Sequence, residues 1–309
     1  MKKLFYLALS VLSVSCANDV HETNSKTELA INAYIGNGST RAVSEKQDWQ
    51  EDDVLGVFVC NGTIDKPYLG DADRYVNVAY RHNGKGFVAQ SIYLDEHPAE
   101  VFAYFPYSAV STAGNAVPVE STTQTDYLYG HSETPASISQ KNVNIEMKHA
   151  LSQVVFKIRR AADYNEGVGE LSGIKIENND ETNTFKTAGT LDLSTGMLTG
   201  TSVRGTLNLM PSGSIQLTGE YQSVSSICLP VSSTPGKNIR VIFTIDQREF
   251  KFEFPAGTTW NSGTRNIYTL TLKNTGLEIG GGGSDDDSGI TIESWGDSSD
   301  NDISLVPIL

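Results

Sequence analysis

The chain has 309 residues, with 23 Lys and Arg against 37 Asp and Glu and a formal net charge of −14. Its length allows about two ordinary domains with buried cores, and 39 % apolar residues are too many for a mostly disordered chain. The acid excess excludes a nucleic-acid binder, which needs a basic face for phosphates, and three Cys exclude a disulfide-built scaffold.

Lys2 and Lys3 precede an apolar stretch from Leu4 to Val14, too short to cross a bilayer as a helix. Ser13, Val14 and Ser15 follow, and then Cys16. A short apolar run ending at a Cys beside small residues resembles a bacterial lipoprotein signal. That resemblance implies that residues 1–15 are removed and that Cys16 carries the acyl chains, palmitate among them. Ser13 stands where the usual lipobox has Leu. The alternative is an ordinary secretory signal in which Cys16 is incidental. Removing residues 1–15 takes away two Lys and no acid, so −14 becomes −16. No later apolar run approaches 18 residues. The expected product is an acidic ectodomain held at a membrane surface by lipid.

Residues 16–28 are polar and read as a tether. Leu29, Ile31, Ala33 and Ile35 then alternate with other residues, the period of a strand with one buried face. Gly36 to Ser39 end it with turn residues. Runs of the same kind follow at 54–59, 75–80, 86–94, 101–105 and 127–129. The stretch 143–158 reads as one bent strand or two, with Val154, Phe156 and Ile158 on one face. The second half repeats the texture at 173–177, 190–193, 205–209, 214–217, 226–231, 238–245, 249–254, 267–272, 290–295 and 303–308. No long window has the i, i+3, i+4 spacing of a helix beyond about two turns. The predicted class is all-β, with short strands in antiparallel sandwiches. The polar stretch 161–170 is the expected seam, giving units over 29–162 and 163–309. The Gly/Asp-rich run 280–289 reads as a flexible linker before a tail, 290–309.

The search for chemistry returns little. No His pair has the i, i+4 metal spacing with an intervening Glu. Ser172 and Lys175 match a Ser-x-x-Lys pattern, but alternation along a strand puts them on opposite faces. The run Gly280 to Gly283 lacks the Lys and the following helix of a phosphate loop. Asp285, Asp286 and Asp287 are consecutive, with no downstream Glu at calcium-loop spacing, and read as a solvated charge run. Cys60 and Cys228 read as buried free thiols, with a disulfide left open by the oxidising compartment. Trp49, Trp260 and His149 read as structural residues. The chain is expected to be no enzyme and to need no cofactor or metal.

Five segments together resemble the type V pilin, or fimbrillin, family, especially its minor-fimbrium-like branch. They are Val101-Phe102-Ala103-Tyr104-Phe105-Pro106-Tyr107, Thr125-Asp126-Tyr127-Leu128-Tyr129-Gly130, the run from Met147 to Ile158, Ile267-Tyr268-Thr269-Leu270-Thr271-Leu272, and Ile290-Thr291-Ile292-Glu293-Ser294-Trp295. The resemblance implies two tandem transthyretin-like β-sandwich domains after a lipoprotein signal. It implies a fimbrial subunit on the outer membrane, with adhesion as its output. It also implies an Arg-specific surface protease that cuts after an Arg following the first strand; the matching bond here is Arg41–Ala42. The strand carrying Leu29, Ile31, Ala33 and Ile35 then leaves, and another pilin subunit donates its replacement. An exposed loop at 36–40 suits a protease, and a vacated groove suits β-augmentation. The candidate donor carries Ile303 and Leu305, with Pro307 removing one backbone donor. The alternative function is a non-polymerising surface lipoprotein that binds a glycan or a host protein.

Overall fold

The structure is a computed structural model and describes residues 27–36, 48–89, 92–179, 183–201, 203–210, 212–232, 238–280 and 290–294. The regular structure of the described residues is nearly all strand, with a 3-10 turn at Tyr68–Gly70 and one short α-helix at Ala72–Tyr75. Asp71 caps that helix by accepting from Arg74 N.

A seven-stranded sheet forms from the first half. Its order is Ala30–Ile35, Asn142–His149, Leu128–His131, Glu100–Phe105, Val54–Cys60, Val78–His82 and Phe87–Val88. All neighbours are antiparallel except the first pair. The two end strands approach one another, so the sheet curls around one core. Side chains alternate between two buried faces. Leu55, Val57, Val59, Val101 and Ala103 line the inside of the curl with Leu29, Ile31 and Ala33. Phe58, Cys60, Phe102 and Tyr104 face the other way, against Val117, Val119, Leu191 and Leu193. Burial on both faces explains why 54–59 is a continuous apolar run rather than an alternating one. Gly56 is required by packing, because a Cβ there would lie 2.0 Å from the Tyr104 ring.

The second half is a sandwich. One sheet has the order Gln222–Cys228, Ser152–Arg160, Thr264–Lys273, with Gly276–Ile279 and Ile290–Ser294 on the outer edge. The facing sheet has Thr206–Asn208, Glu170–Asn178, Ile239–Ile245 and Arg248–Glu253, with Ile215–Gln216 beside Glu170–Asn178. Phe156, Ile176, Phe243, Phe254, Trp260 and Tyr268 meet between them. Trp260 donates to the Tyr268 hydroxyl at 2.9 Å, which satisfies its one polar atom inside the core.

The seam differs from the expected one. Ser152–Arg160 pairs only with Gln222–Cys228 and Thr264–Lys273, so the change of sheet comes at Ala150 and Leu151 rather than at 162/163. The run 143–158 is two strands in two sheets. Its junction carries no turn residue because it is buried, whereas the polar stretch 161–170 is a surface connection within the second half. The halves are also stitched together. Val117–Glu120 pairs with Ala188–Leu191, which pairs with Leu198–Gly200. Two further expected strands divide differently: 75–80 becomes the end of the helix and then Val78–His82, and 86–94 becomes Phe87–Val88 and Tyr93–Leu94.

Candidate assembly site

The first strand, Ala30–Ile35, is an edge strand whose one sheet neighbour is Asn142–His149, to which it runs parallel. Leu29, Ile31 and Ala33 are 3 %, 6 % and 6 % exposed, while Tyr34 between Ala33 and Ile35 is 45 % exposed. Ile35 packs against the same core from its rim. The alternation read in the sequence therefore places one face in the curl of the sheet and the other in solvent. On the solvent face Asn32 Nδ2 donates to Asn144 Oδ1 at 2.9 Å.

The main chain of this strand is divided between two partners. Ala30 N donates to Lys141 O and Gly36 N to Met147 O, both at 3.0 Å. Successive residues direct their polar groups to opposite edges, so even-numbered residues serve the ladder and odd-numbered ones face away from it. On that outer side Leu29 N donates to Ile92 O at 2.8 Å, and Ala33 O accepts from Trp49 Nε1 at 2.7 Å. The indole is held edge-on against Phe87 at 5.0 Å and Phe105 at 5.5 Å. Trp49 is thus more than the core or turn aromatic expected of it. No sequence signal marks this role, because the hydrogen bond goes to a carbonyl that every residue type has.

Asn142–His149 ends in a buried polar contact. His149 Nδ1 lies 3.0 Å from the Asp126 carboxylate, and both side chains are nearly inaccessible. The histidine is structural, as its place at the head of an apolar run suggests. Cys60 and Cys228 are both free and buried. Burial, with smaller contributions from Asp65 and Glu100, pushes the Cys60 thiol up to about 12, and burial raises Cys228 further. Among the described residues there is no group of three side chains able to hold a metal ion, and no helix long and apolar enough to cross a membrane.

The second edge of interest belongs to Thr264–Lys273. Gly276–Ile279 pairs with 270–273, Gly280 N donates to Thr269 O at 2.9 Å, and Ile290–Ser294 pairs with 264–268. The two short strands lie end to end on one edge, with 281–289 between them. Ile292 is 58 % exposed, and the backbone of Ile290–Ser294 pairs with that of 264–268. Cys16, Arg41, Ala42, Asp285 to Asp287, Trp295, Ile303 and Leu305 lie outside the described residues.

Curled and sandwiched sheets, with the earliest described long strand at an edge, define an all-β protein built from packed sheets. The chain belongs to the fimbrillin-like family, whose model matches residues 40–295. No curated protein sequence matches it. Among solved structures it is similar to a proposed cell adhesion protein from Bacteroides uniformis, with 21 % identity, 87 % of this chain and 99 % of that one covered, and a TM-score of 0.60. A proposed cell adhesion protein from Bacteroides ovatus gives 18 % identity, 88 % and 98 % coverage, and a TM-score of 0.61. The tip fimbrial protein Mfa3 from Porphyromonas gingivalis, with a C-terminal truncation, gives 10 % identity, 85 % and 99 % coverage, and 0.51. These likenesses establish the shared fold, and the family match supports a role as a fimbrial subunit.

Proposed function

We propose that the chain is a structural subunit of a surface fimbrium, delivered to the outer membrane by acylation of Cys16 and released for assembly by cleavage after Arg41. Adhesion is the output of the assembled fimbrium. The observation that carries this reading is the first strand. Ala30–Ile35 is held by one ladder, by the Trp49 indole, by Leu29 N donating to Ile92 O and by three inward side chains, and the preceding Thr27–Glu28 pairs with Tyr93–Leu94. The family match begins at residue 40, beside the candidate bond and beyond that strand. Losing the strand would uncover the free edge of 142–147 together with the trough now filled by Leu29, Ile31 and Ala33. An exposed apolar edge of this kind pairs with another strand, and one given by the next subunit satisfies backbone and side chains together.

The test is digestion of the full chain by an Arg-specific protease, followed by N-terminal sequencing and denaturing gels. The expected result is a new terminus at Ala42 and detergent-resistant oligomers, both lost in Arg41→Ala. Oligomers that form equally from Arg41→Ala would overturn the processing step. For the anchor, Cys16→Ala is expected to abolish labelling by a fatty-acid probe, and persistent labelling would reject it.

A further inference from the structure

We infer that the outer face of the second half, where Ser152–Arg160 lies between Gln222–Cys228 and Thr264–Lys273, carries a binding site for a carboxylated sugar. Arg159 is the fork for the carboxylate and Tyr221 is the platform for the ring. The inference rests on adhesion as the output of the protein and gives it a site and a ligand class. It needs neither cleavage after Arg41 nor strand exchange.

Strand alternation builds the site. Val154, Phe156 and Ile158 point into the sandwich, so Lys157 and Arg159 point away from it. The register sets Ser223 and Thr269 on either side of Lys157, and Thr271 beside Arg159. Tyr221 leads into Gln222, which pairs with Ile158. The result is a shelf of hydroxyls around two cations, in a chain whose formal charge is −14. Arg159 is fixed on this shelf from two sides. Its Nε donates to Thr271 Oγ1 at 3.3 Å, and its guanidinium lies over the Tyr221 ring, with Cζ 4.6 Å from the centroid. Both Nη groups keep their N–H donors for another acceptor. Arg74, Arg81, Arg240 and Arg248 each have a carboxylate partner, whereas Arg159 has none among the described residues.

This geometry selects the ligand. A planar fork already held in place matches a carboxylate through two parallel hydrogen bonds and has little freedom left to lose. The acid nearest along the row does not compete for it: Glu278 stands across Thr271 and is engaged by Lys273 Nζ at 2.7 Å and Thr275 Oγ1 at 2.9 Å. Lys157, two residues along the same face, adds a second positive charge and favours an anion. Tyr221 is 39 % exposed even with the guanidinium against it, which leaves aromatic surface beside the fork for the C–H face of a pyranose. The hydroxyls of Ser223 and Thr269 both donate and accept, as sugar hydroxyls do. An extended acidic peptide would need a free strand edge, and both edges of Ser152–Arg160 are already paired.

The test uses the uncut full chain and saturation-transfer NMR with three probes: the methyl glycosides of glucuronic acid and of N-acetylneuraminic acid, and neutral methyl glucoside. At least one acid should give saturable transfer, strongest at its ring C–H groups and weakened by salt, and methyl glucoside should give none. The preferred acid tells a uronic-acid polymer from a sialylated surface as the source. Neither Arg159 nor Tyr221 belongs to the sandwich core, so their variants should keep the melting temperature of the unsubstituted chain. Arg159→Lys keeps the charge and removes the fork, and should weaken binding about tenfold or more, the worth of a charge-assisted hydrogen bond. Tyr221→Ala should weaken it by a similar factor, while Tyr221→Phe keeps the ring and should leave binding unchanged. Absence of saturable transfer from both acids, equal transfer to methyl glucoside, or full binding by Arg159→Lys overturns the site. Acetate that competes as well as the glycosides overturns the sugar assignment. These outcomes do not bear on the oligomers expected after digestion, so failure of this site and failure of the assembly reading are told apart.

Discussion

The side chain of Gln124 lies against Ile227 as a neighbouring strand would: its Oε1 accepts from Ile227 N at 2.8 Å, and its Nε2 donates to Ile227 O at 3.0 Å. The same amide accepts from the Ser226 hydroxyl at 3.0 Å and donates to Ser121 O at 2.7 Å. Three of these four hydrogen bonds cross from a loop of the first half to the outer edge of Gln222–Cys228, and the fourth, to Ser121 O, closes the loop on itself. Gln124 holds φ of +55° to make the reach. One residue thus both covers a sheet edge and ties the halves together, beside the apolar contact of Leu151, Ile227 and Leu229.

Gln124→Ala should therefore leave Ile227 with two unsatisfied main-chain groups and lower the unfolding free energy by about 2–3 kcal/mol. Gln124→Glu should recover part of this, since a carboxylate still accepts from Ile227 N and Ser226 but can donate to neither carbonyl. Urea titration followed by tryptophan fluorescence measures both. A loss under about 0.5 kcal/mol for the alanine variant would show that the edge finds other partners.

Acid should weaken the second half through Asp246. Burial acts to raise its pKa, but hydrogen bonds from Glu170 N, Gly169 N and the Tyr164 hydroxyl outweigh it, and the carboxyl is held below its ordinary value. A depressed folded pKa means the unfolded state binds the proton more readily. The stabilisation is complete above the unfolded value near 3.9. It is lost as pH falls through the folded value beneath. Asp246→Asn should flatten the stability curve below about pH 4. An unaltered slope in acid urea titrations would remove this assignment.

The thiols should be silent in the native protein. Cys228 is completely enclosed and Cys60 nearly so, and burial raises both above the range where a thiolate forms at neutral pH. Alkylation at pH 8 should modify neither until urea unfolds the chain. Rapid native labelling of Cys60 would mean that the face carrying Phe58, Phe102 and Tyr104 opens readily.

How much of this was legible depended on whether a residue's job is local. The first strand could be read because Leu29, Ile31, Ala33 and Ile35 alternate and one face is dry. The all-β class followed from many such runs and their turns. The change of sheet at Ala150 and Leu151 was hidden, because a buried crossing between two apolar strands needs no Gly or Pro. Val117–Glu120 was missed because only Val117 and Val119 are buried and Pro118 reads as a turn. Trp49 and Gln124 were illegible for a common reason: each bonds to a distant main chain, which leaves no pattern of residue types to detect.

The resident strand should be removable by chemistry as well as by a protease. Ile31 is 6 % exposed and belongs to the apolar cluster that lines the curled sheet. Ile31→Asp would bring a carboxylate into that trough, where an unpaired charge costs several kcal/mol. The strand has one neighbour in its sheet, and its release would leave the six other strands of the sheet paired. The uncut variant should therefore expose the edge of 142–147, bind a hydrophobic dye and associate, as the digested chain is expected to do. Asn32→Asp changes the neighbouring residue by the same charge but faces solvent, and should shift stability by no more than about 0.5 kcal/mol. Light scattering and dye fluorescence on the two variants decide the matter. If Ile31→Asp unfolds globally without first exposing an associating edge, the first strand is a cooperative part of the fold and not a separable one.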